Sequence, residues 1–230
     1  IQKVFRQKGV LVIPAFALER TQEILYYLNE MVEKKEIPTL PIYLDSPLAI
    51  EITEVFEKYN QNFKPAIAKE AKRDEIFRFQ GLSFSQTVQQ SKAINDVPLP
   101  KVIISGSGMM YAGRILHHAK RYLPDKNSIL LLVGFQIPQT LGDRIIQGEK
   151  RVKIFGEEVF VNCQVEYVEA FSAHADQKEL LDWLGSLKTS PKMIFLNHCE
   201  RVENFAHHLG QNFHCPVIIP TYGQQFELSK

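Results

Sequence analysis

The chain has 230 residues, 45% hydrophobic and 23% charged, with a net charge of +1. That length allows one large α/β domain or two smaller ones. The near-balanced charge excludes a chain-wide attraction to polyanions, so any polyanion site must be local. No apolar run approaches the roughly 18 residues of a membrane span, and the opening IQKVFRQKG has neither an initiator Met nor a signal-peptide core. It reads as the start of a fragment. Three cysteines, Cys163, Cys199 and Cys215, without CxxC spacing, fit a reducing, cytoplasmic setting.

GVLVIPAFA (9–17) reads as an apolar strand. TQEILYYLNEMVEKKE (21–36) follows as an amphipathic helix, with Ile24, Leu25, Leu28 and Met31 on one face. TLPIYLDSP (39–47) is a second strand and LAIEITEVFEKYN a second helix. The charged stretch 64–78 reads as a solvated helical connector. KVIISGSG (101–108) and SILLLVGF (128–135) are further strands, followed by helices in RILHHAKRYL (114–123) and TLGDRIIQG. Continuous apolar strands separated by helices imply an α/β fold with a parallel sheet covered on both faces. From about 150 the polarity alternates, and KRVKIFGEEVFVNCQVEYVEAF reads as antiparallel strands with a turn at Gly156. Two βα units and two short strands complete the chain.

EAFSAHADQKELLDWL (169–184) places His174 in a short gap between strand and helix. Asp176 followed by Glu179 is a capping-box pattern that starts the helix. The next unit, PKMIFLNHCE, places His198 at the matching position. Ligands of open parallel sheets bind outside the carboxyl ends of strands. A lone histidine there more often packs or caps locally, whereas two in matched positions favour a site. The loop SGSGMMYAGR (105–114) exposes backbone N–H groups suited to phosphate. It is not a Walker A loop, and Tyr111 stands where a GxGxxG would need its third Gly. Ser105, Gly106, Ser107, Gly108, Met109 and Arg114 are its candidate anion-binding residues. Asp45 and Ser46 end a strand and either bond a ribose or cap the next helix, the cap being favoured. Lys120 and Arg121 read as a solvated helix face, Cys199 as a packing residue, and His207, His208 and His214 carry no assignment. HxH, HExxH, GxSxG and CxxC are all absent, so these residues alone do not make a complete catalytic site.

VLVIPAFALERTQEIL, PIYLDSPLA, SKAIN, IISGSGMMYAGRILHH, GFQIPQTLGDRI, FSAHAD and LNHCE occur in this order. Together they resemble the β-CASP branch of metallo-β-lactamase-fold ribonucleases, which includes RNase J and cleavage-factor endonucleases. The short FSAHAD form is more similar to the cleavage-factor group. The resemblance implies a β-CASP domain, truncated at its N-terminus, over residues 1–167. It implies the C-terminal portion of a metallo-β-lactamase domain over 168–230. His174 matches the histidine that assists proton transfer at the scissile phosphate. His198 matches a zinc ligand, its histidine resembling RNA-directed members. Residues 105–109 match a region that contacts the nucleic-acid backbone, and Arg20 matches a further motif position. The family's HxHxDH motif lies upstream of Ile1, so the chain resembles a C-terminal half. Glu19 and Cys199 stand where glycine is usual, which loosens any requirement for positive φ at those turns.

The resemblance therefore implies an RNA-processing, zinc-dependent ribonuclease, with two zinc ions in the intact protein and an inactive isolated chain. Single-stranded RNA is the expected partner and no membrane is expected. A homodimer is an assembly left open, as is endonuclease against exonuclease action. Two alternatives stand beside this: a non-catalytic RNA-binding relative and a nucleotide-phosphate-binding α/β module.

Overall fold

A computed structural model describes residues 1–168, 175–197 and 202–227. The chain divides into two compact units, Ile1–Ser172 and Ala173–Lys230. In the first, α1 (Gln2–Gln7) precedes β1 (Val10–Pro14), α2 (Arg20–Glu33), β2 (Ile42–Leu44), α3 (Pro47–Lys58), α4 (Pro65–Ala71), β3 (Leu82–Phe84) and α5 (Val88–Ala93). Then come β4 (Lys101–Ser105), α6 (Arg114–Tyr122), β5 (Ile129–Val133), α7 (Leu141–Ile146), β6 (Arg151–Ile154), β7 (Glu157–Phe160) and β8 (Gln164–Val168).

Six strands form one sheet in the order β3-β2-β4-β1-β5-β8, every pair parallel. The two central strands, β1 and β4, are buried along their whole length. Side chains alternate faces along a strand, so each feeds two cores. Leu11, Ile13, Val102 and Ile104 pack under Ile24, Leu25, Leu28 and Ile50 of α2 and α3. Val10, Val12 and Ile103 pack under Ile115, Ala119 and Tyr122 of α6. Burial on both faces is why these strands read as unbroken apolar runs. Lys101 is the exception at the start of β4: its Nζ donates to the carbonyls of Ile94 (2.5 Å) and Val97 (2.9 Å). Burial pushes its ammonium down to about 8.

The parallel sheet, the helix at 114–122 and the turn at Gly156 match the sequence reading. Phe155 and Gly156 both take positive φ, 52° and 80°, as a two-residue hairpin loop requires. Three expectations are corrected. β8 does not continue the antiparallel β6–β7 hairpin but joins β5 in parallel, from Gln164↔Ile129 to Val168↔Val133. The stretch 64–78 is not wholly solvated: Ile76 and Phe77 are buried, and Phe77 meets the rings of Phe56 and Phe63 at 6.3 and 6.1 Å. β3, only three residues long, was not anticipated as a strand at all.

In the second unit, α8 (Gln177–Gly185), β9 (Ile194–Phe195), α9 (Glu203–Phe213) and β10 (Val217–Ile218) follow in order, with β9 and β10 parallel. The expected capping box is present. Glu179 N donates to Asp176 Oδ1 at 2.8 Å, and Asp176 N donates to Glu179 Oε2 at 2.9 Å.

The turn from β1 into α2 carries strain. Glu19, exposed, has φ 63° and ψ −61°, and Arg20 N donates to Leu18 O at 2.8 Å. That is the positive-φ γ-turn, a sparsely populated conformation for any residue with a Cβ. The turn takes positive φ although a glutamate occupies it. Glu19→Gly is therefore expected to stabilise the protein by about 1 kcal/mol, raising the thermal midpoint by roughly 2–4 °C. Glu19→Ala keeps the Cβ and is expected to leave the midpoint unchanged. An equal rise in both variants in a thermal melt contradicts the strain account.

Candidate nucleic-acid interface

The carboxyl edge of the sheet is where β1, β2, β3 and β4 end. Strand pairing runs one residue past the formal ends: Asp45 N donates to Ile104 O (2.8 Å), Ala15 N to Ser105 O (3.0 Å) and Ser85 N to Leu44 O (2.9 Å). Asp45, Ser85 and Ser105 are thereby brought side by side.

Asp45 is 0% exposed. A carboxylate out of water is tolerated only when charges and donors surround it. Arg114 Nη1 donates to Oδ1 at 2.8 Å. Ser91 Oγ and His118 Nε2 both donate to Oδ2, at 2.6 and 2.7 Å, an ionised carboxylate being acceptor only. Arg114 and His118 lie four residues apart on α6 and so share a face. Burial alone would raise the Asp45 pKa. The hydrogen bonds from His118 and Ser91, the His118 charge and the Arg114 bond outweigh it and hold the carboxyl below its ordinary value.

This cluster anchors the loop at 105–109. Ser105 Oγ donates to the Asp45 carbonyl at 2.8 Å. Ile115 N donates to Gly106 O at 3.3 Å, and Met110 N to Ser107 O at 3.0 Å. Gln136 Nε2, from the segment after β5, donates to Gly108 O at 3.2 Å. Gly108 also lies under the ring of Phe16, where a Cβ would come within 2.8 Å of ring carbons. Only a residue without a side chain permits that approach. The loop is thus fastened at nearly every residue, with Gly106, Ser107 and Met109 half-buried and Tyr111 exposed at its far end.

The structure brings Ser105, Gly106, Ser107, Gly108, Met109, Arg114, Asp45 and Ser46 to one edge. Ser46, not Asp45, caps α3 by accepting from Ala49 N at 3.4 Å. Asp45 instead closes the ion cluster. Arg114 was expected to grip a polyanion. Two of its guanidinium nitrogens are already given to protein acceptors, Nη1 to Asp45 and Ser85 O and Nη2 to Gln86 O, all at 2.8 Å. Its first task is to neutralise Asp45 and tie β3 to α6. Arg20 is buried at the start of α2, paired with Glu23. His118 and Ser91 were missed. The available signal was His118 lying on the same helical face as Ile115, Ala119 and Tyr122, a polar residue at an apolar position. His174, His198 and Cys199 lie outside the described residues. Among the described residues no three His, Cys, Asp or Glu side chains cluster as a metal site.

Removing the charge from Asp45 takes the counter-ion from the partly exposed Arg114 and the charged acceptor from the buried His118, a cost of up to about 3–5 kcal/mol. Asp45→Asn is expected to lose that much in denaturant unfolding at neutral pH. Because the folded-state pKa of Asp45 is depressed, the wild-type advantage is fully present above the unfolded value. It fades as pH falls below about 4. A gap between the two proteins that stays constant into that acid range contradicts the ionised cluster.

The family model of the Beta-Casp domain matches residues 21–145. The model described as the Zn-dependent metallo-hydrolase RNA specificity domain matches 158–220. The chain is 41% identical over 198 residues to Ribonuclease TTHA0252 of Thermus thermophilus, covering 86% of this chain and 45% of that protein. It is 30% identical over 225 residues to the RNase J-like protein of Methanocaldococcus jannaschii, covering 97% of this chain and 51% of that protein. It is 30% identical over 207 residues to the transcription termination factor FttA of Methanosarcina mazei, covering 86% and 32%. The chain spans about half or less of the length of these curated relatives. With the Beta-Casp match extending over more than half of its residues, the chain belongs to the β-CASP branch of the metallo-β-lactamase ribonuclease family.

Proposed function

We propose that the intact protein is a zinc-dependent ribonuclease that hydrolyses phosphodiester bonds of single-stranded RNA. In this reading the chain supplies the strand-gripping part and the last elements of the nuclease site. The observation that carries it is the fastened loop at 105–109. Its backbone is fixed before any ligand arrives, so binding a phosphate there costs little ordering of the protein. Successive backbone N–H groups in a turn form a concavity for anions, which suits a ligand recognised by its repeating phosphates rather than its sequence. The RNA specificity domain match at 158–220 and the ribonuclease relative support the same substrate class.

The described residues do not form a metal centre by themselves. His198 is proposed as one ligand, the others coming from outside the described residues. Bound zinc would supply water made acidic enough to attack at neutral pH. His174 is proposed to pass a proton to the leaving oxygen. The intact protein is expected to cleave labelled single-stranded RNA in a metal-dependent, chelator-sensitive manner. Residues 1–230 alone are expected to be inactive. In the intact protein His198→Ala should lower bound metal. His174→Ala should keep the metal and lose roughly 10²- to 10⁴-fold in rate. Equal metal depletion in both variants, or zinc-dependent cleavage that co-purifies with residues 1–230 alone, contradicts the assignment.

A further inference from the structure

Three large aromatic side chains stand exposed around the fastened loop: Phe16 at 43%, Tyr111 at 61% and Phe135 at 58%. They follow β1, β4 and β5, which are immediate neighbours in the sheet, in the order β4-β1-β5. Adjacent strands lie about 4.8 Å apart, so the three strand ends span roughly 10 Å along one edge. Phe16 lies against Gly108. Phe135 precedes Gln136, whose amide holds the Gly108 carbonyl. The Tyr111 amide donates to Ser107 Oγ at 3.4 Å. Each aromatic is therefore tied to the loop by a contact of its own or of its neighbour. Among the described residues none of the three rings meets another ring, whereas the aromatics at 56, 63 and 77 are paired in the core.

We propose that Phe16, Tyr111 and Phe135 form a stacking platform for unpaired nucleobases, set beside the loop that takes the phosphates. This rests on the RNA reading above and adds the part of the ligand that the loop itself does not meet. Size decides between a base and a protein surface. A fully buried aromatic covers about 150–250 Å², so three half-exposed ones offer roughly 300 Å². A stable protein interface needs about 800 Å² from each partner. One ring for one base is, by contrast, the unit from which single-strand binding surfaces are built, tolerant of sequence because every base has a π face.

The test uses the intact protein with its metal chelated, so that RNA is bound without being cleaved. Affinities are measured for oligo(U), oligo(A) and an equally long oligonucleotide of abasic sugars. Leucine keeps the apolar bulk and removes the ring. Tyr111→Leu and Phe135→Leu should each weaken both base-bearing ligands by roughly 5- to 150-fold, the equivalent of one lost stack. Abasic binding and the salt dependence should stay unchanged. Phe16→Leu, at the ring that lies against Gly108, should give the same base-dependent loss. An equal loss on the abasic ligand, or no loss at all, overturns the platform. So does a lowered thermal midpoint with unchanged affinity, which would show the rings packing against the protein's own chain. If the wild-type protein binds none of the three ligands, the RNA reading itself fails, and the platform with it.

Discussion

A carboxylate sealed from solvent at the end of β2 organises the carboxyl ends of β3, β2 and β4 in this sheet. Leaving Asp45 unpaired there would be far costlier than any contact it could replace, so its donors must be held in place. Those donors come from different parts of the chain: Ser91 from α5, and Arg114 with His118 from α6. Arg114 in turn collects the carbonyls of Ser85 and Gln86 beyond β3. The Asp45 carbonyl holds Ser105 at the end of β4. One buried charge thus links three strand ends and two helices, and residues 105–109 leave β4 from a point that has no freedom to shift.

The sheet makes that edge rigid for a separate reason. β1 and β4 are covered on both faces by apolar side chains, so their ends cannot fray without exposing two cores at once. Two of the residues with positive φ that are not glycine stand where these strands hand over to helices: Glu19 in its γ-turn and Met110, buried with φ 59°. Unfavourable backbone conformations persist only where surrounding structure over-determines them, and they gather at ligand-binding positions. Aromatic rings left in solvent along the same edge are the third departure from ordinary folding economy. The Asp45 cluster, Met110 and the exposed rings meet at the loop that follows β4.

Much of this was legible from residues alone, because apolar periodicity reports burial directly. The all-buried strands, the helix on the face of Ile115 and Ala119, and the Asp176–Glu179 cap each follow from local pattern. What was not legible depended on pairing across long separations. The alternating polarity of 164–168 is the same whether that strand pairs antiparallel with the preceding hairpin or parallel with β5 as an edge. β3 is too short to show any period. Asp45 read as a cap because a strand-end acid usually is one. That a helix almost 70 residues later would deliver Arg114 and His118 to it is a tertiary fact. The same fact gives Arg114, expected at a polyanion contact, a counter-ion within the protein. Glu19 misled in the opposite sense: the missing glycine suggested an ordinary turn, and the turn kept its positive φ regardless. His174 and His198 rest on resemblance and on their matched positions at two βα junctions.

The claim on which the rest depends is that the loop fastened by Asp45 is where the RNA backbone rests. Amide hydrogen exchange of the intact protein, with and without single-stranded RNA and with metal chelated, addresses it at residue level. Within residues 105–113 the bonds described engage the amides of Met110 and Tyr111 and the carbonyls of Gly106, Ser107 and Gly108. The amides of 105–113 are expected to exchange more slowly when RNA binds, and to slow by more than amides on the amino edge of the same sheet. RNA binding that leaves exchange at 105–113 unchanged while slowing it elsewhere would contradict the account.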